Sequence, residues 1–189
     1  RLSLRHSDID RQFEGRKLDG WLVSNHLAFT HDNSLWVPTG PLEGTRYSLG
    51  VGQTVDFKRS RPFNTTVFAD LRHYQRLSQR TSLAIRYLGL HSRGNVPESY
   101  ALGGSWTLRG YAWRSMWGRN LILANHELRF PLLDAMVFAF PFGTIDFRAF
   151  RGALFVDAGN AWNDEFGDWR GSIGAGTRIA LGGVFVLRL

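Results

Sequence analysis

Two carboxylates, Glu127 and Asp157, and six histidines are the side chains of this 189-residue chain best suited to chemistry. A pair of carboxylates can divide the general acid and base roles and cut a glycosidic bond. His6, His26, His31, His73, His91 and His126 are scattered, with no His-x-His or His-x-x-x-His spacing to offer a metal site. His126 adjoins Glu127, so on a strand the two point to opposite faces and do not work together. No serine lies in a Gly-x-Ser-x-Gly elbow, and the chain has no cysteine to supply a thiolate or a disulfide. The expectation is a chain without catalysis, cofactor or metal.

The elements that carry these residues must be strands. Apolar residues make up 43% of the chain and aromatic residues 14%, too much for a disordered, solvated polymer. No apolar run reaches the length of a membrane helix, and the longest, Ala135 to Phe142, is interrupted by Pro141. Any membrane crossing is therefore β. From residue 20 onward, segments of about ten residues alternate with period two between clusters of Gly, Pro, Asn and Asp, the pattern of a transmembrane barrel. In Ser172 to Leu181 one parity holds Ile173, Ala175, Thr177, Ile179 and Leu181, and the other Ser172, Gly174, Gly176 and Arg178. Thr81 to His91 sets Leu83, Ile85 and Tyr87 against Ser82, Ala84 and Arg86. Gly44 to Phe57 sets Tyr47, Leu49 and Val51 against Arg46, Ser48, Gly50 and Gly52.

Trp21 to Phe29, Leu121 to Phe130, Gly152 to Trp162 and Val184 to Leu189 are also strand-like. So is Phe63 to Tyr74, where Phe68 and Tyr74 share a parity with Asp70 and Arg72. This gives about eight strands, with the polar opening, residues 1–19, unassigned. A soluble β-sandwich also alternates, but its outward face is polar, whereas here one parity is apolar and the other mixes glycine with charge. An arginine in mid-segment is tolerable in a bilayer only when it faces the lumen. Gly50, Gly52, Gly159, Gly174 and Gly176 then share that lumenal parity, leaving room for something to lie against the wall. The net charge of +7, with an Arg-rich stretch from Arg72 to Arg93 that includes Tyr74 and Tyr87, raises nucleic acid as a partner. The same charge suits rims facing phospholipid or lipopolysaccharide headgroups, and that reading is preferred.

Between His91 and Arg119 lies a connection of about twenty-five residues, a length that usually serves a function. It contains Gly103-Gly104 and, beyond them, Leu108-Arg109-Gly110-Tyr111. Asn125-His126-Glu127-Leu128-Arg129-Phe130-Pro131-Leu132 and Phe155-Val156-Asp157-Ala158-Gly159-Asn160-Ala161-Trp162 follow in order. Together they resemble the Gly-Gly…(Val/Leu)-Arg-Gly-(Phe/Tyr) element and the next two strands of the bacterial surface antigen, or outer-membrane protein assembly factor, superfamily, which includes BamA, TamA and the two-partner-secretion transporters. The resemblance covers roughly residues 79–189; residues 1–78 fit by strand pattern only.

The resemblance implies an all-β antiparallel transmembrane barrel of about 16 strands with a lumen-inserted loop, in the bacterial outer membrane. It implies insertion, assembly or translocation of polypeptides, without a cofactor. Its partners would be outer-membrane lipids and lipopolysaccharide, client polypeptides, and periplasmic or lipoprotein accessory subunits, with no nucleic acid. The alternative is a barrel anchor or export channel for a fused domain such as a patatin-like lipase. Residues 1–189 would be the C-terminal portion of the barrel, with the first strands, the periplasmic domains and the last strand outside the chain.

In that family the loop arginine contacts acids on the inner wall, which carries the roles to Arg109, Glu127 and Asp157. A glycosidase pair gains nothing from an arginine between its two acids, which argues further against catalysis. Parity agrees independently: an inward Asp157 turns Phe155 and Gly159 inward and leaves Leu154, Val156 and Ala158 for lipid, and an inward Glu127 puts Leu128 with Phe130 and Leu132. Gly110 lets the backbone turn close to the wall, and Tyr111 is expected to bury its ring and keep its hydroxyl wet.

Overall fold

The computed structural model describes residues 2–6, 9–10, 17–18, 21–37, 40–57, 61–181 and 185–188. The strands are β1 (Leu2–His6), β2 (Ile9–Asp10), β3 (Lys17–Leu18), β4 (Trp21–Asp32), β5 (Leu35–Val37), β6 (Gly40–Asp56), β7 (Arg61–Arg76), β8 (Ser82–Gly94), β9 (Tyr100–Leu102), β10 (Met116–Gly118), β11 (Asn120–Phe140), β12 (Gly143–Trp162), β13 (Arg170–Leu181) and β14 (Phe185–Arg188). The main sheet runs β1-β4-β6-β7-β8-β11-β12-β13-β14, every pair antiparallel, and β5 also pairs with β6. Each of the eight expected segments is a strand of this sheet, and β1, from the unassigned opening, adds to its edge. The order ends at β1 and β14, so among the described residues the sheet is open. Val184 and Leu189, the limits expected for the last segment, lie outside the described residues.

Alternation sorts the side chains as their chemistry requires. Leu27, Val51 and Val67 are directly paired neighbours on one face and remain 75%, 45% and 47% exposed, as does Ile173 on β13 at 83%. A soluble sandwich would cover such a face, whereas lipid matches it. His126 lies on this apolar side, opposite Glu127, bonded to Tyr87 Oη at 3.0 Å. The other face carries the charges and glycines. Phe68 and Tyr74 belong there: Phe68 lies where a side chain on Gly50 would be, and Phe155 covers Gly174 in the same way. The mixed parity of β7 is thus an aromatic ring filling its neighbour's missing side chain.

β11 and β12 reach farther than expected, to 21 and 20 residues. Alternation is broken beyond Phe130 by Pro131, where the register with β12 shifts between Pro131 and Leu133. The ladder tolerates this proline because the pairing of β8 with β11 ends at Ser82 and Arg129, so no β8 bond depends on its missing N–H. Pro141 and Phe142 form the hairpin turn. The apolar run there is the far end of a hairpin, ten residues beyond the segment recognised by periodicity.

Candidate functional site

The connection between β8 and β11 is folded on itself before it touches the wall. β9 pairs with β10 as a short ribbon, and Gly104 N–H donates to Tyr111 O at 3.1 Å across the tip. Gly103 and Gly110 have φ of +116° and +82°, conformations that a side chain would strain. Leu102 and Leu108 are fully buried against Leu121 and Leu123 of β11, with Leu88, Leu90, Tyr100 and Tyr111 around them. Burying side chains of this size contributes about 1.5–3 kcal/mol each. Gly159 faces this cluster, where an added Cβ would lie 3.3 Å from Leu102 Cδ2. The loop therefore occupies the space that glycine leaves on the charged face.

The tip crosses the sheet along one register row. Arg86, Asn125, Asp157 and Ser172 are paired in turn across β8, β11, β12 and β13. Arg86 Nη1 donates to Trp106 O at 3.5 Å, and Asn125 Nδ2 donates to Thr107 O at 2.9 Å. Arg109 meets Asp157, and Gly110 lies over Ser172, with 3.4 Å from its would-be Cβ to the serine Cβ. Residues 105–110 make this crossing as turns and bends, the first closed by Thr107 N–H donating to Gly104 O at 3.1 Å.

Arg109 is held by both expected acids. Its Nε and Nη2 donate to Asp157 Oδ2 and Oδ1, each at 2.7 Å; its backbone N–H adds a bond to Oδ2 at 3.2 Å, and its Nη1 donates to Glu127 Oε2 at 2.5 Å. The Asp157 side chain has no exposure and that of Glu127 has 8%, against 20% for Arg109. A planar fork on a planar carboxylate fixes orientation as well as distance. The guanidinium also lies 3.7 Å from the centroid of the Phe155 ring, a cation–π contact that parity alone does not reveal. Tyr111 packs its ring as expected, and its hydroxyl donates to Gly171 O at 3.2 Å in an exposed setting. Gly171 is the neighbour of Ser172 on β13, so this contact ends the same crossing.

Two further arginines share Glu127. Arg129 Nε donates to Oε1 at 2.7 Å, and Arg178 Nη2 donates to the same oxygen. Arg129 Nη1 also reaches Pro41 O at 3.2 Å. β6 is three strand steps from β11, about 14 Å, so the hairpin of β5 and the start of β6 leans over the charged face. Apart from this centre, Asp70 accepts paired hydrogen bonds from Arg72, at 3.0 and 2.6 Å, and from Arg86, at 3.1 and 2.9 Å. Every carboxylate of this region is saturated by guanidinium donors, an arrangement for holding elements in place rather than for moving protons. Among the described residues no cluster of His, Asp and Glu could hold a metal ion.

A family profile described as the Omp85 superfamily domain matches residues 8–185. No curated protein matches the chain.

Proposed function

Since the chain belongs to the Omp85 superfamily, whose members are outer-membrane β-barrels of the BamA and TamA kind, we propose that it contributes to a barrel that assembles polypeptides into the outer membrane or translocates them across it. The observation carrying this reading is Arg109 at the tip of the loop, gripped by Asp157 and Glu127 on two neighbouring strands. The role assigned to this contact is mechanical. A loop laid across β8, β11, β12 and β13 braces those strands against one another, while the sheet edges stay free to rearrange as client strands pair with them. Unpaired edge groups in hydrocarbon must find partners, which supplies the driving force for templating.

In a closed barrel the charged face is the lumen and the exposed apolar face meets lipid. The test is charge reversal in the complete protein, read as surface delivery of its client polypeptides. Arg109→Glu abolishes delivery, and adding Asp157→Arg restores part of it. Asp157 is the better site for the compensating change, because Glu127 also serves Arg129 and Arg178 and its reversal would strand both. Full delivery by the single variant overturns the bracing role.

A further inference from the structure

Beyond the loop contact, arginines outnumber carboxylates around Glu127 among the described residues of the same wall. Arg151 is directly paired with Arg178 and with Pro131, and Arg129 lies two residues before Pro131 on the same face. β11, β12 and β13 thus place one guanidinium each in a small area, with Glu127 serving Arg129, Arg178 and Arg109 together. Arg151 is only 8% exposed. Its charged neighbours are Arg129 and Arg80, both of like sign, and it has no hydrogen-bond or ion-pair partner among the described residues. Like charges opposite one another across strands are destabilising, and a buried charge without a counter-ion is costly. In the next rows a cavity of about 200 Å³ opens between the loop tip and the Gly40–Pro41 turn. Arg72, Arg86, Arg109, Arg129 and Arg178 line it, with Glu127 the one carboxylate among its described lining residues.

We propose that this cavity and the adjoining Arg151 form a binding site for a phosphate-type oxyanion, held by Arg129, Arg151 and Arg178. A carboxylate is planar and has two oxygens, a shape that Glu127 already supplies to this cluster. A phosphate monoester has three acceptor oxygens in a tetrahedral array and about −1.5 to −2 of charge, which suits guanidinium forks arriving from three strands. The cavity shares Arg109 and Glu127 with the loop contact, whereas Arg151 lies outside its lining and has no bond to Asp157 or to the tip among the described residues, so it can be changed without cutting that contact.

The probe is pyrophosphate, titrated by calorimetry into the complete protein in phosphate-free detergent micelles, with chloride holding the ionic strength constant. The wild-type protein binds it, inorganic phosphate competes, and Arg151→Gln weakens binding by about tenfold or more, the usual loss for a hydrogen bond to a charged group. Arg151→Lys, which keeps the charge and loses the fork, falls between the two. Micelles containing a phosphorylated lipid separate the sources: competition from the lipid marks a headgroup as the natural ligand, and its absence marks a soluble phosphate. Failure of the wild type to bind above the chloride background overturns the site. Equal binding by Arg151→Gln, or equal and Arg151-dependent binding of an acidic peptide, overturns it as well.

Discussion

Asp70 and Asp157 stand in adjacent rows of the same charged face, each gripped by guanidinium forks, and they do different work. Asp70 is bonded to Arg72 and Arg86, wall residues whose places are already set by the pairing of β7 with β8. Asp157 is bonded to Arg109, which belongs to a loop that no main-sheet ladder positions. The Asp70 side chain keeps 19% exposure and that of Asp157 none. One pair reinforces a register that hydrogen bonding has fixed, and the other fixes a loop position that no strand ladder dictates. A wall ion pair is therefore expected to be worth little, and the loop ion pair much.

The largest effect is expected from Asp157→Ala. It leaves Arg109 half-buried with Glu127 alone, and breaking a buried pair costs about 3–5 kcal/mol. Hydrogen exchange then accelerates over residues 100–118 while the amides of β6 and β7 stay protected. If the loop exchanges no faster than in the wild type, the contrast between the two aspartates collapses. Leu108→Ala tests the apolar half of the same attachment: a fully buried leucine cut to alanine costs about 2–5 kcal/mol, and the upper end is not expected where a loop can settle into the gap. Exchange should again rise across residues 100–118. Asp70→Asn is expected to cost about 1 kcal/mol in urea unfolding, because its partners are partly exposed and already held in register. Its loop exchange should change little, since the Arg86 bond to Trp106 O is long; a large loosening would move Arg86 into the attachment proper.

Alternation made the two faces legible, because a period of two needs only neighbouring residues to be compared. It could not say which residues from distant strands meet. Arg178 reaches Glu127 from two strands away, and the two are 51 residues apart in sequence. Only the register, with Glu127 beside Phe155 and Arg151 beside Arg178, brings a β13 guanidinium within reach of a β11 carboxylate. The hold of Arg109 on Glu127 and Asp157 was expected from motif and parity together, whereas the Phe155 ring beneath it was assigned only a direction. The far halves of β11 and β12 escaped because Pro131 and the shift beside it interrupt the period.

The smallest effect concerns pH and separates the root of the loop from its tip. Burial pushes the Tyr100 phenol up to about 12, and the nearby Glu98 carboxylate adds to the rise. An acid whose folded pKa exceeds its unfolded value, here about 10, binds more protons folded than unfolded between the two, so stability falls as pH rises through that window. Tyr100 packs against the Leu102 and Leu108 cluster and is partly exposed, so screening limits its share to about 1 kcal/mol or less. Tyr100→Phe should leave stability at pH 8 nearly unchanged and flatten part of the decline between pH 10 and 12, measured as the difference between the two proteins so that other titrating groups cancel. At the tip, the Arg109 guanidinium that makes the ion pair stays protonated throughout that range. Equal slopes for the two proteins would mean that the root of the loop opens before Tyr100 ionises. The apolar cluster would then be the weaker half of the attachment, and the bonds of Arg109 to Asp157 and Glu127 would hold the loop at high pH.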